Sequence, residues 1–310
     1  MGFHIYLPIA GNSINLFLLL GLGGAVGFLS GLFGVGGGFL LTPLLIMIGI
    51  PPTVAAASDS NQIVAASTSG TYAHARSGTV DFAMGLLLLI GGIVGGTLGV
   101  RLIKLLRATG SADFVITIFY VVMLGSIGSY MFYDSIRGLR GRPEPEPRPP
   151  TAPRPSIYSR LVSGLPFKME FKRSRISLSA ITPLFLGALV GVLAAIMGVG
   201  GGFIMVPVMV YLLRMPMHVV VGTSLFQILF TCLNVTVMQS WMNHTVDFLL
   251  ALMLLIGSVI GAQIGARVSK RLKADQLKVL MSVIVLVVMV KMLYGLLAHP
   301  EILLSYKGGH

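Results

Sequence analysis

Gly34-Val35-Gly36-Gly37-Gly38-Phe39, with Pro43 close behind, recurs 164 residues later as Gly198-Val199-Gly200-Gly201-Gly202-Phe203, with Pro207 close behind. Pro52 and Ser60 keep that offset with Pro216 and Ser224. Thr79-Val80-Asp81-Phe82 returns as Thr245-Val246-Asp247-Phe248, now at an offset of 166. Gly91, Gly95, Gly99 and Arg101 match Gly257, Gly261, Gly265 and Arg267, so two residues are inserted in the second copy between Ser224 and Thr245. Matching of this length marks an internal duplication.

The residues around the repeats decide the class. Apolar residues make up 55% of the 310 positions and charged residues 10%, against about 25% charged in soluble domains. Long apolar runs occupy Phe82–Ile90, Phe114–Leu124, Phe248–Ile256 and Val283–Val290. Each lies in a longer, nearly uncharged segment, and a helix needs about 20 such residues to span a bilayer core of about 30 Å. The expected fold is an all-α polytopic membrane protein. Helices are predicted over about 14–33, 38–50, 53–74, 82–105 and 113–136, and again over about 178–198, 202–213, 216–240, 247–270 and 275–298. The first is expected to be a retained helix and not a signal peptide. The second of each set is too short to cross comfortably and reads as a half-helix or one arm of a re-entrant hairpin.

Residues 1–136 form the first repeat, 137–176 a linker and 177–310 the second repeat. The linker carries Pro143, Pro145, Pro147, Pro149, Pro150, Pro153 and Pro155 among arginines and glutamates, a composition that favours extended polyproline conformations. Near its end Leu165, Phe167, Met169 and Phe171 alternate with mostly polar residues, which suits a short strand or an interfacial segment. The net charge of +12 belongs to loops beside apolar segments and argues for no nucleic-acid partner. With an odd number of crossings per half and the linker inside, 17 bases are cytoplasmic and four external. An even number leaves the two sides nearly balanced. The positive-inside rule therefore favours inverted repeats, with a parallel arrangement as the alternative.

Four glycines in a row of five break a helix, each costing roughly 1 kcal/mol relative to alanine, and within lipid a broken backbone survives only against protein or a wet cavity. The expected substrate-binding residues are therefore Gly34, Gly36, Gly37 and Gly38 with Gly198, Gly200, Gly201 and Gly202, whose N–H groups suit an anion. Close packing or a tight turn without ligand is the competing explanation. Asn61 and Gln62, and Thr223, Ser224 and Gln227, lie on the helix that follows each cluster. Thr223, Gln227, Thr231 and Asn234 share one face, and Ser58, Asn61 or Gln62, and Ser69 form a comparable stripe. They line a solute path or serve interhelical hydrogen bonds. Asp59 is the sharpest single residue, since a charge within a membrane helix is costly. It reads as a carrier of a coupling proton or cation, or as an interfacial acid bonded to local backbone, and its repeat partner is the uncharged Thr223. Asp81 and Asp247 fit helix N-caps, and the four-residue glycine spacings fit close helix contact. His74, His218 and His244 have no metal-ligand spacing, Cys232 is the lone cysteine, and Trp241 suits an interface. No pairing of nucleophile with base stands out, so an enzyme, a metal site and a cofactor are not expected.

The duplicated glycine motif with its downstream proline, Gly222-Thr223-Ser224 and the Val-Asp-Phe before each glycine-spaced helix resemble the TauE/SafE sulfite exporter family. The resemblance covers roughly residues 14–136 and 178–298. It implies an inner-membrane permease of bacteria for a small anion, sulfite, a sulfonate or a related sulfur oxyanion, with both glycine clusters near the transport path. Ser58-Asp59-Ser60 against Gly222-Thr223-Ser224 departs from a symmetric pattern. A passive anion channel, or a membrane enzyme or assembly factor, is the alternative.

Overall fold

The computed structural model describes residues 4–33, 38–139, 168–171, 173–174, 176–213, 215–269 and 274–298. The proline-rich stretch, Gly34–Gly37 of the first cluster and the side chain of Ser69 lie outside the described residues.

One element order occurs twice. A β-hairpin, β1 (His4–Leu7) and β2 (Asn12–Asn15), leads into α1 (Leu16–Phe33), α2 (Gly38–Met47), α3 (Pro52–Arg76), α4 (Phe82–Ala108) and α5 (Ala112–Leu139). A second hairpin, β3 (Lys168–Phe171) and β4 (Ile176–Ser179), leads into α6 (Ile181–Met197), α7 (Gly202–Pro207), α8 (Met217–Met238), α9 (Phe248–Ser269) and α10 (Ala274–Ala298). Helix α7 runs on into a π-helical turn, Val208–Leu212, and α8 into another, Gln239–Asn243. The ten predicted helices are all present. Lys168–Phe171 is the short strand that the alternation near the end of the linker allowed; the correction is that Asn12–Asn15 and Ile176–Ser179 are strands where helices were expected to begin. His4 pairs with Asn15 and Lys168 with Ser179, so the two antiparallel hairpins keep the 164-residue offset.

Helix directions follow from which residues meet. A Cβ on Gly23 would meet Leu254 and one on Gly27 would meet Ser258, so α1 and α9 run parallel. Gly91 faces Leu184, Gly95 faces Ala188 and Gly99 faces Val192, so α4 and α6 also run parallel. Each seam joins the first long helix of one half to the fourth of the other. The glycine spacing serves it, because the backbones approach so closely that a methyl group would strike a carbonyl. The pairs of equivalent helices behave differently. Gly125 faces Met289 while Gly128 faces Val285 and Leu286, so α5 and α10 are antiparallel. Gly70 faces Leu225 while Gly222 faces His74, so α3 and α8 are antiparallel too. Between them the repeat-related rings of Phe39 and Phe203 stack at 4.3 Å and 5°.

The ends of the bundle are tied by polar contacts. At one end Asn12 donates to the Gly49 carbonyl at 2.7 Å, the Thr53 amide to Asp113 at 3.0 Å, and Arg107 to the Asn243 carbonyl at 2.5 Å. At the other, Arg173 donates to the Gly78 and Val80 carbonyls and the Asp81 amide to the Thr223 hydroxyl at 3.0 Å. Consequently α1 and α2 enter and leave at one end, α6 and α7 at the opposite end, and the three later helices of each half run from end to end. Arg76, Arg173 and Arg267 belong to the second end, and Arg101, Lys104 and Arg107 to the first.

Among the described residues four helical spans, Phe82–Ala108, Ala112–Tyr133, Val219–Asn243 and Phe248–Gly265, are long and apolar enough to cross a membrane. On α4 the glycine face is buried, while Leu86, Ile90, Val94 and Leu98 on the opposite face are exposed. Leu252, Ile256, Ile260 and Ile264 do the same on α9. Such continuous apolar surface exceeds what soluble monomers expose and suits lipid.

Candidate functional site

The second glycine cluster is a chain reversal. Helix α6 ends at Gly198, with φ 70°, and α7 begins after Gly201, with φ 75°; Gly200 between them has φ 69°. Left-handed backbone of this kind is what glycine permits and side chains resist. The reversal is buried. A Cβ on Gly200 would meet Cys232 Sγ at 2.6 Å, Ile228 at 3.0 Å and Ile63 at 3.1 Å, and one on Gly198 would strike the Ala56 carbonyl. Its carbonyls are held from the other half: Ser60 Oγ donates to the Gly198 carbonyl at 3.2 Å, and Tyr120 Oη donates to the Met197 carbonyl.

Beside this reversal lies Asp59, fully buried on α3. Thr42 of α2 donates its hydroxyl to Asp59 Oδ2 at 2.8 Å. Asp59 Oδ1 is buried with no hydrogen-bond partner, and so are Gln62 Oε1 and Gln227 Oε1. A Cβ on Gly38 would lie 3.3 Å from Asp59 Oδ2 and would strike the Ile63 side chain. Ile63 therefore fills the space that glycine leaves at the start of α2, with the Asp59 carboxyl beside it. The structure thus brings Gly38, Asp59 and Ser60 of the first half to Gly198, Gly200 and Gly201 of the second.

The polar stripe on α8 turns elsewhere. Thr223 accepts from the Asp81 amide, Gln227 donates to Thr231 at 2.8 Å, and Asn234 donates to Thr97 at 3.3 Å and to the Ile93 carbonyl at 3.4 Å. These are bonds within α8 and to α4, the interhelical reading of the stripe. Ser224 bonds its own helix at Val221, and Ser58 accepts from the Asp247 amide at 3.2 Å. Gln62 is buried and Asn61 half-buried. Gly202 opens α7 and is buried.

Sequence reasoning missed Thr42 and Tyr120. Thr42 is the one polar side chain of α2, and that was the available signal; Tyr120 shares the run from Phe114 to Leu124 with Thr117 and carries no comparable mark. Among the described residues no cluster of three His, Cys, Asp or Glu could hold a metal ion.

Asp81 and Asp247 cap α4 and α9 as expected, with Oδ1 accepting from the Met84 and Leu250 amides at 3.1 Å each. Their second oxygens do more. Asp81 Oδ2 accepts from the Ser174 amide at 3.0 Å and hydroxyl at 2.5 Å, and Asp247 Oδ2 accepts from the Ile9 amide at 3.1 Å. Ser174 and Ile9 lie in the turns of the two hairpins, so each hairpin clasps the cap of the opposite half.

Beside the buried chain reversal in a duplicated, lipid-suited bundle stands a family match: a profile described as sulfite exporter TauE/SafE matches residues 19–292. The chain belongs to the TauE/SafE family. Among similar TauE/SafE-related chains, a "Probable membrane transporter protein" of Xylella fastidiosa (strain 9a5c) is 26% identical over 78% of this chain and 80% of its own length. "Probable membrane transporter protein YjnA" of Bacillus subtilis (strain 168) is 29% identical over 78% of this chain and 84% of its own. "Sulfite exporter TauE/SafE family protein 2" of Arabidopsis thaliana is 30% identical over 36% of this chain and 24% of its own. No solved structure matches. Family and helix composition together make this a multi-pass membrane protein.

Proposed function

We propose that this protein is a secondary transporter of a small anion, a sulfur oxyanion such as sulfite or a sulfonate, working by alternating access between two inverted repeats in a bacterial inner membrane. The observation that carries the reading is the antiparallel packing of equivalent helices, α3 on α8 and α5 on α10. Helices of end-to-end length that are both equivalent and antiparallel are related by an axis across the bundle, which is how inverted repeats arise. The Phe39–Phe203 stack and the α3–α8 contact lie near that axis. The charge distribution agrees: Arg76, Arg173 and Arg267 share the end to which the linker is assigned.

The proposed recognition elements are the amides of Gly34, Gly36, Gly37 and Gly38 and of Gly198, Gly200, Gly201 and Gly202, with Asn61, Gln62, Thr223, Ser224 and Gln227 as side-chain partners. In the conformation described, Cys232, Ile228 and Ile63 close over Gly200. Anion binding there requires α6 and α7 to move away from α3 and α8. The oxyanion class rests on the family description, and the names of the bacterial relatives support transport. Purified protein in liposomes is expected to carry sulfite, thiosulfate or taurine down an imposed gradient and to exchange labelled for unlabelled anion. Absence of flux for all three, under every imposed gradient, rules the substrate class out.

A further inference from the structure

Three acids are buried among the described residues: Asp59, Asp81 and Asp247. Both oxygens of Asp81 and of Asp247 are occupied by hydrogen-bond donors. Asp59 has one donor, the Thr42 hydroxyl, and a bare second oxygen. Caps explain the first two acids and nothing structural explains the third. An ionised carboxylate sealed from water without a cation or a full set of donors is strongly disfavoured.

The lining of Asp59 names what completes it. Helix α2 presents Thr42 and the Cβ-less Gly38. The ionisable groups near enough to feel its charge are Tyr120 from α5 and Cys232 from α8, and neither is a base. From its own helix come Ser60 and Ile63, and among the described residues no Lys, Arg or His pairs with it. A metal cation would need a shell of oxygens. Here Asp59 is the one acid among the described residues of the site, since the other two buried acids are caps; Thr42 directs its proton at Oδ2, and the single Ser60 proton is shared between the Gly198 and Ala56 carbonyls. A proton needs only the free lone pair of Oδ1.

The position links that proton to movement. Asp59 touches the start of α2 through Gly38, its neighbour Ser60 holds Gly198, and Tyr120 holds Met197. The carboxyl therefore sits between the start of α2 and the chain reversal that follows α6. We propose that Asp59 is the proton-carrying group of this protein, a site in the first half that holds a proton on Oδ1 while α2 and the reversal after α6 are packed around it and exchanges that proton with water when they part; this rests on the permease reading above. The repeat partner of Asp59 is Thr223, which cannot ionise, so the second half has no equivalent carrier at this position.

The test uses the full chain in liposomes, with sulfite, thiosulfate and taurine as probes and an internal pH dye. Wild type is expected to accumulate anion against its gradient when a proton gradient is imposed, with dye-reported proton movement. Asp59→Asn is expected to lose that accumulation and keep labelled-for-unlabelled exchange. Accumulation driven by a sodium gradient and indifferent to pH overturns the proposal, as does proton-driven accumulation surviving in Asp59→Asn. Infrared difference spectroscopy of the purified protein supplies a substrate-free readout. A protonated carboxyl band that titrates in wild type and vanishes in Asp59→Asn supports the proposal, and no band assignable to Asp59 overturns it. If no probe moves in wild type, the permease reading fails while this spectrum still judges Asp59. If Asp59→Asn does not fold, Asp59→Glu and Thr42→Val replace it: each is expected to retain proton-driven accumulation with a displaced pH profile, and an unchanged profile in both counts against the site.

Discussion

Asp81 and Asp247 show how much one residue carries in this fold. Their spacing before an apolar run was readable as a helix cap, because capping is a local rule: an acceptor at the first position meets an amide three residues on. The second oxygen was not readable, since its donors arrive from Ser174 and Ile9 in the hairpin of the other half. Replacing either acid by alanine is expected to destabilise the protein by about 1 kcal/mol for the lost cap. A further loss comes from donors left without an acceptor. Asp81→Ala strands both the amide and the hydroxyl of Ser174, whereas Asp247→Ala strands the Ile9 amide alone. Thermal unfolding in detergent should therefore show the larger drop for Asp81→Ala. Equal drops would mean the hairpin contacts contribute nothing.

At the scale of elements, the parallel seams α1–α9 and α4–α6 are built on glycines whose neighbours are backbone. Gly95→Ala would push a methyl into the Ala188 carbonyl, and overpacking of this kind costs about 1–3 kcal/mol. Gly21 lies on the same class of helix with nothing within 4 Å. Gly21→Ala should be neutral or stabilising by roughly 0.5–1 kcal/mol, the ordinary gain of alanine over glycine in a helix. Paired melting curves for the two variants check this, and a melting point lowered equally by both would remove the seam argument. The four-residue spacing predicted close contact without naming the partner, because a smooth face fits many helices. The strands were the weak point. Four-residue segments such as Asn12–Asn15 carry too little pattern to be told from a helix start, and their pairing depends on a turn between them.

Over the whole molecule, the two ends of the bundle should face different compartments. Thr109, after α4, is at the end of Arg107, and Ser77, after α3, is at the end of Arg173. With the linker inside, Thr109→Cys in intact cells should react with an impermeant maleimide, and Ser77→Cys should react only after permeabilisation. The native Cys232 is buried and contributes little background. Labelling of both from one side would overturn the inverted arrangement.

Duplication, membrane class, the helix break at Gly198–Gly201 and the two caps follow from the amino-acid order alone, because hydropathy, glycine clustering and capping act over a few residues or over one repeat. Tertiary packing decided the rest. It settled that the first helix of each half docks on the fourth of the other, that equivalent helices meet antiparallel, and that hairpins fasten the opposite caps. It also turned the α8 stripe toward α4 and placed Asp59 between Thr42 and the reversal held by Ser60 and Tyr120. These outcomes join residues up to 238 positions apart, and contacts of that range are chosen by how whole surfaces fit, which no local pattern encodes.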